Sequence, residues 1–332
     1  MIVFPTSLNP TSLTPQFPTS LTPFFAQQKI HILANMESLD QVELNFNSTS
    51  LLIINIVLAF IMFGIALDLN IESFKKVLKQ PKALGVGLFS QIIGLPFLTY
   101  LLVLIMQPEP SLALGMILIA ACPGGNISNF FSALAKANVE LSIVMTSVTS
   151  VLAIVFTPFN FAFYGNKYEP AATIMQSLSL DWANVAQTIA LIIIIPIILG
   201  LLTRRYFPEW AKRLVKPLRY ISMLLFVLIV IGALFSNLDF FFTYIGMIFF
   251  LVLVHNFIAL SSGYLWGVLF KCDIREKKSL SIETGIQNSG LGLLLIFGFF
   301  SGLGGMAIIA AWWGIWHIVM GFVVAGFFSR VD

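Results

Sequence analysis

From Thr49 onward the chain alternates long apolar segments with short polar ones. Each apolar segment runs near 20 residues, enough to cross about 30 Å of hydrocarbon as an α-helix rising about 1.5 Å per residue. The pattern predicts helices over 50–69, 83–106, 112–135, 139–163, 182–203, 218–236, 242–268, 279–300 and 305–328. No run alternates apolar and polar residues with the period of a lipid-facing strand, so a β-barrel is not indicated. The expected fold is an all-α membrane protein of nine transmembrane helices, with its two ends on opposite sides. Residues 1–48 break the pattern. They repeat Pro-Thr-Ser-Leu from Pro5, Pro10 and Pro18 in a stretch too poor in apolar residues to build a core. The segment lacks the basic start and long apolar run of a signal peptide. A disordered extracellular or periplasmic tail is expected, with Met36 a second candidate start.

The charges sort themselves by loop. Lys75, Lys76, Lys79 and Lys82 follow the first span and Lys136 the third. Arg204, Arg205, Lys212, Arg213, Lys216 and Arg219 follow the fifth. Lys271, Arg275, Lys277 and Lys278 follow the seventh, and Arg330 the ninth. These are 16 of the 18 basic residues, and only Lys29 and Lys167 fall in loops of the other parity. Positive loops stay in the cytoplasm, so the sequence predicts an inner or plasma membrane protein with its N-terminus outside and its C-terminus cytoplasmic.

Composition agrees and narrows the class. Hydrophobic residues make up 58% and charged residues 10%, well below the roughly one quarter charged of a soluble domain. No basic segment interleaved with aromatics suggests nucleic acid as a partner. Cys122 and Cys272 give no disulfide framework.

Two spans are unlike the rest. The third carries Ala-Cys-Pro-Gly-Gly-Asn-Ile-Ser-Asn over 121–129. Proline and paired glycine interrupt a helix where lipid offers its backbone no other partner, which is tolerable only against protein or a wet cavity. The eighth carries Glu-Thr-Gly-Ile-Gln-Asn-Ser-Gly-Leu-Gly over 283–292. A carboxylate at the bilayer centre costs about 2.5–3.5 kcal/mol, so Glu283 reads as a site residue rather than one reaching back to the interface. Glu283 and Gln287 are four apart and are expected on one helix face. The two interrupted spans occupy matching places in two halves of opposite topology, the sequence sign of an inverted-repeat transporter with its site near the midplane.

These stretches resemble the bile acid:sodium symporter family. The resemblance rests on CPGGNISN at 122–129, NVELSIVMTSVTS at 138–150, VHN at 254–256, ETGIQNSGL at 283–291 and the Trp-His pair at 316–317. It covers about 50–328 and matches the nine-helix members that lack the first helix of the ten-helix type. It implies an inverted repeat with two broken crossing helices. A panel domain would comprise 49–69 and 182–237, and a core domain 83–163 and 242–328. It further implies two sodium ions, co-transported with a small organic anion. The first would be held by Ser128, Asn129, Ser142, Thr146 and Glu283, the second by Gln91, Glu283, Gln287 and carbonyls near Thr284 and Ile286. Sodium is a hard cation, and these are the oxygen donors it takes. The anion would meet Asn126, Asn129, Asn288, Ser289 and His317 at the half-helix N-termini. Ile318 stands where relatives often have a polar residue, so no bile acid is implied; a keto acid or a pantoate-like anion fits as well. The partners are then sodium, the anion and the bilayer, with a monomer sufficient.

Two other classes compete. A channel or non-transporting receptor could share these features without sodium coupling. An intramembrane protease would need paired aspartates or a serine–histidine pair. Asp68, Asp181, Asp239 and Asp273 all lie at span ends, and no nucleophile is placed to face His255 or His317.

Overall fold

Helix accounts for nearly all of the described chain, because apolar segments without charge satisfy their backbone most readily within themselves. The computed structural model describes residues 48–68, 75, 77, 81–177, 182–235, 238–300 and 302–330. The expected tail at 1–48 lies outside the described residues except for Ser48, where the first helix begins. That helix, α1, is Ser48–Asp68. Next come α2 (Pro81–Phe89), a five-residue π-turn (Ser90–Gly94) and α3 (Leu95–Met106), in one continuous run. The first interrupted span is α4 (Pro110–Ala121) and α5 (Ile127–Leu134). Then follow α6 (Val139–Lys167), a 3-10 turn (Glu169–Ala171) and the short α7 (Ala172–Ser177). After α8 (Trp182–Tyr206), α9 (Pro208–Phe235) and α10 (Leu238–Leu269) comes the second interrupted span, α11 (Ile274–Gly285) and α12 (Ser289–Phe299). The chain closes on α13 (Gly304–Phe328).

Five of these runs are long and apolar enough to cross a membrane by length and composition: Pro81–Met106, Val139–Lys167, Ala183–Tyr206, Ile245–Leu269 and Gly304–Phe328. The interrupted spans fall short of that length because each is two helices. One expectation fails at α9, where the predicted start at 218 is ten residues late. Helix begins at Pro208 and runs through Pro217. Pro208 suits a first turn, whose N–H groups have no helical acceptor, and the one bond lost at Pro217 does not stop a 28-residue helix.

Helix α1 packs on α8 and α9, whose other faces leave Leu191, Ile195, Leu199, Leu224 and Leu228 exposed. Such a surface suits lipid rather than water. The largest buried cluster joins α4, α12 and α13, with Ile117, Leu293, Met306, Ile309 and Trp313 at its centre. Small residues bring these helices close: a Cβ on Gly115 would lie 2.9 Å from the Met306 backbone. Gly321 of α13 likewise accepts the Phe131 ring of α5. This packing holds both interrupted spans against α6 and α10.

Candidate functional site

The two interruptions meet. Helix α4 ends because Cys122 is extended (φ −69°, ψ 156°) and Pro123 follows; α11 ends because Ile286 is extended (φ −116°, ψ 95°). Over the next residues the two chains run antiparallel. The Gly125 N–H donates to the Ile286 carbonyl (2.7 Å) and the Asn288 N–H to the Pro123 carbonyl (2.9 Å). This short ladder gives backbone groups freed by the breaks a partner inside the protein. Glycine is required for it: a Cβ on Gly125 would lie 2.9 Å from the Gln287 carbonyl oxygen. One sequence expectation fails here. Gln287 does not share a helix face with Glu283, because α11 stops at Gly285 and Gln287 sits in the crossing itself.

Glu283, at the end of α11, is wholly buried. Its Oε1 accepts from the hydroxyls of Ser128 on α5 and Ser142 on α6, and from Thr146 Oγ1 at 3.0 Å. Thr146 also lies 3.1 Å from Oε2. Asn129 Oδ1 closes the ring at 2.8 Å from Ser142 Oγ and 3.3 Å from Thr146 Oγ1. A hydroxyl carries one proton, so Ser142 serves Glu283 or Asn129 but not both, and Thr146 serves one of its several acceptors. Oxygen acceptors therefore outnumber the protons available. Among the described residues no lysine, arginine or histidine pairs with the carboxylate. A buried carboxylate without a cationic partner, ringed by neutral oxygens, is a donor set that fits a small hard cation.

On the other flank, Gln91 Nε2 donates to the Glu283 carbonyl (2.7 Å), and Gly124 lies between the two side chains. Gln287 Nε2 donates to the Thr284 carbonyl at 2.8 Å. The Oε1 atoms of Gln91 and Gln287 are buried with no donor. Buried acceptors without partners are uncommon and costly, and here two occur around the crossing, one on Gln91 beside the Glu283 carboxylate and one on Gln287 in the second break. The Ile286 carbonyl takes the Gly125 N–H, and the Thr284 hydroxyl pairs with Ser90 Oγ at 2.8 Å.

Of the residues expected to meet the anion, Asn126 and Asn288 are the N-caps of α5 and α12. Asn288 Oδ1 accepts from the Leu291 N–H (3.0 Å), leaving its Nδ2 without a partner. Ser289 is buried with its hydroxyl unpartnered, as is Asn126 Oδ1. His317 is buried on α13, one turn before Gly321 and its Phe131 contact. His255 is a packed residue: its Nε2 lies 2.7 Å from Thr99 Oγ1 and its ring 4.7 Å from that of Trp313.

The residues 55–244 match the model of the sodium bile acid symporter family. An uncharacterized sodium-dependent transporter of Bacillus subtilis, YocS, is 31% identical over 277 residues, 83% of each chain. The chain belongs to the sodium bile acid symporter family. A probable sodium/metabolite cotransporter of rice chloroplasts, BASS2, is 29% identical over 72% of this chain and 55% of its own length. A bovine sodium-dependent organic anion transporter is 23% identical over 83% of this chain and 76% of its own. Membership makes the protein a sodium-dependent membrane transporter and not an enzyme, which sets the protease reading aside.

Within this family member, a second group of polar residues serves the irregular backbone; sequence reasoning named Asn256 only within the Val-His-Asn stretch and passed over Thr157 and Asn160. Asn256 Nδ2 donates to the Gly285 carbonyl at 2.7 Å, Thr157 Oγ1 to the Ala121 carbonyl at 2.7 Å, and Asn160 Nδ2 to the Ile92 carbonyl at 2.8 Å. Their sequence signal is slight: a single polar residue in an apolar span looks the same whether it caps a break or packs elsewhere.

Proposed function

We propose that the protein is a symporter that imports a small organic anion by alternating access, driven by two sodium ions held beside Glu283. The observation that carries this is the Glu283 carboxylate, buried among oxygen acceptors that the local hydroxyl protons cannot all satisfy. Ser128, Asn129, Ser142 and Thr146 would hold one ion with Glu283. Gln91, Glu283, Gln287 and carbonyls near Thr284 and Ile286 would hold the other. Two ions convert a site of one negative charge into one of net positive charge. The N-termini of α5 and α12, with Asn126, Asn129, Asn288, Ser289 and His317, then favour an anion. Binding of sodium and anion is mutually favourable by reciprocal linkage, by about 1–3 kcal/mol. Two ions with one monoanion move one net charge, about 2.3 kcal/mol per 100 mV of inside-negative potential.

The same proposal takes the chain to cross the membrane nine times. Helices α1, α8 and α9 form a panel, and the remaining helices form a core whose broken spans cross. The N-terminus is outside, the C-terminus cytoplasmic, in a plasma or inner membrane, and one copy is sufficient. The test begins with melting temperatures across a panel of keto acids, pantoate-like acids and steroid conjugates, with and without sodium. An anion that stabilises only in sodium is then followed into proteoliposomes under an imposed sodium gradient and a potassium diffusion potential. Uptake that needs sodium and rises with inside-negative potential is the expected result; uptake indifferent to sodium overturns the proposal.

A further inference from the structure

The π-turn over Ser90–Gly94 has a cause in the sequence. In an α-helix the Ile92 carbonyl would accept from the N–H of residue 96, but residue 96 is proline and has none. The Leu95 N–H reaches back to the Ser90 carbonyl, the longer bond that defines the turn. The Ile92 carbonyl is left without an intrahelical donor at position 96, and the carboxamide N–H of Asn160 on α6 donates to it instead at 2.8 Å. One turn earlier on the same helix, Thr157 does the same for Ala121 at 2.7 Å. That carbonyl is orphaned because its helical donor, the Gly125 N–H, is turned to Ile286. Both side chains are buried. A four-residue stretch of α6, Thr157 to Asn160, thus secures two irregular backbones, and each leads into the surroundings of Glu283. The first carries Gln91, whose amide holds the Glu283 carbonyl at 2.7 Å; the second carries Gly124, beside Gln91 and the Glu283 carboxylate.

We propose that Asn160, aided by Thr157, is a positioning residue for sodium: it holds the π-turn that aims Gln91 at Glu283, although neither Asn160 nor Thr157 touches the ion. Replacing the extra residue of the π-turn by regular α-helix rotates every preceding position of α2 by about 100°, which would carry Gln91 away from Glu283. Asn160 opposes that rearrangement by tying the Ile92 carbonyl of the turn to α6. The inference rests on Gln91 serving the second ion in the function proposed above.

The test is a melting-temperature titration of the purified full chain with sodium chloride at constant ionic strength against potassium. It reports baseline stability and half-saturating sodium separately. Gln91→Ala checks the underlying reading and should raise half-saturating sodium about tenfold. Asn160→Leu, close in volume but without a donor, should raise it about as much. Thr157→Val should raise it less. In Asn160→Leu with Pro96→Ala, the restored N–H supplies Ile92 from within the helix. That double variant should recover baseline melting temperature but not sodium affinity, because the turn is lost. If Gln91→Ala weakens sodium while Asn160→Leu only lowers the baseline, or the double variant recovers both, Asn160 is purely structural and the inference is overturned. If Gln91→Ala itself leaves half-saturation unchanged, the second-ion reading fails first. Should Asn160→Leu not fold, the double variant and Thr157→Val carry the same decision.

Discussion

The two interruptions that cross in this protein are built from opposite materials. The first, Cys122–Asn126, is proline and glycine with no charge. Its following helix has no side-chain cap, and its orphaned Ala121 carbonyl is satisfied from α6. The second, Ile286–Asn288, carries large polar side chains and caps its own helix through Asn288. It follows directly on the site's carboxylate at Glu283. The difference teaches a division of labour: the first break is made thin so that the second can bring charge close to it. Gly124 and Gly125 leave room for the Gln91 and Glu283 side chains and the Gln287 backbone, while Glu283 supplies what binds.

Exchanging the thin material for bulk should be the most damaging change. Gly125→Val places side-chain atoms where even a Cβ falls 2.9 Å from the Gln287 carbonyl, against backbone that cannot move aside. We expect the crossing to be lost, at a cost above the usual about 1–3 kcal/mol of overpacking, and little monodisperse protein by size-exclusion chromatography. Normal yield and melting temperature would show that the breaks need no close approach.

Gly124→Ala sharpens the comparison at smaller amplitude. Its Cβ would lie 2.7 Å from both Gln91 Nε2 and Glu283 Oε2, the ends of side chains that can shift. The fold should survive while half-saturating sodium in the thermal titration rises roughly tenfold, equivalent to about 1.4 kcal/mol. Gly246→Ala, in α10 with nothing within 4 Å, is the matched control and should leave sodium affinity unchanged.

The smallest effect is expected where the second break looks after itself. Asn288→Ala removes the cap on the Leu291 N–H and should cost about 1 kcal/mol of stability, read as a drop in melting temperature. Sodium affinity should change by less than in Gly124→Ala, because the hydrogen bonds of Asn288 run to Leu291, Gly292 and Pro123 and not to the carboxylate ring.

Much of this was legible beforehand, for physical reasons that differ by residue. Glycine, proline and a carboxylate inside an apolar span are costly enough to announce themselves, so both breaks and Glu283 could be read from the chain. The hydroxyls of Ser128, Ser142 and Thr146 could be placed only through the family resemblance, since serine and threonine commonly bond to their own helix; Thr146 does so at 3.0 Å to Ser142 as well as facing Glu283. The position of Gln287 was misread because a four-residue spacing signals a shared face only while the helix continues. The π-turn was hidden because Pro96 reads equally as a kink. Thr157 and Asn160 were passed over because their partners are backbone carbonyls far along the chain, which no local pattern shows.

The account turns on Glu283 as the residue that binds sodium at the crossing, and equilibrium binding of radioactive sodium to purified protein measures this without knowing the anion. Wild type should bind sodium saturably. Glu283→Gln, which keeps the shape of the side chain and removes its charge, should lose that binding while eluting and melting as a folded protein. Saturable sodium binding of unchanged affinity in a well-folded Glu283→Gln variant would contradict the account.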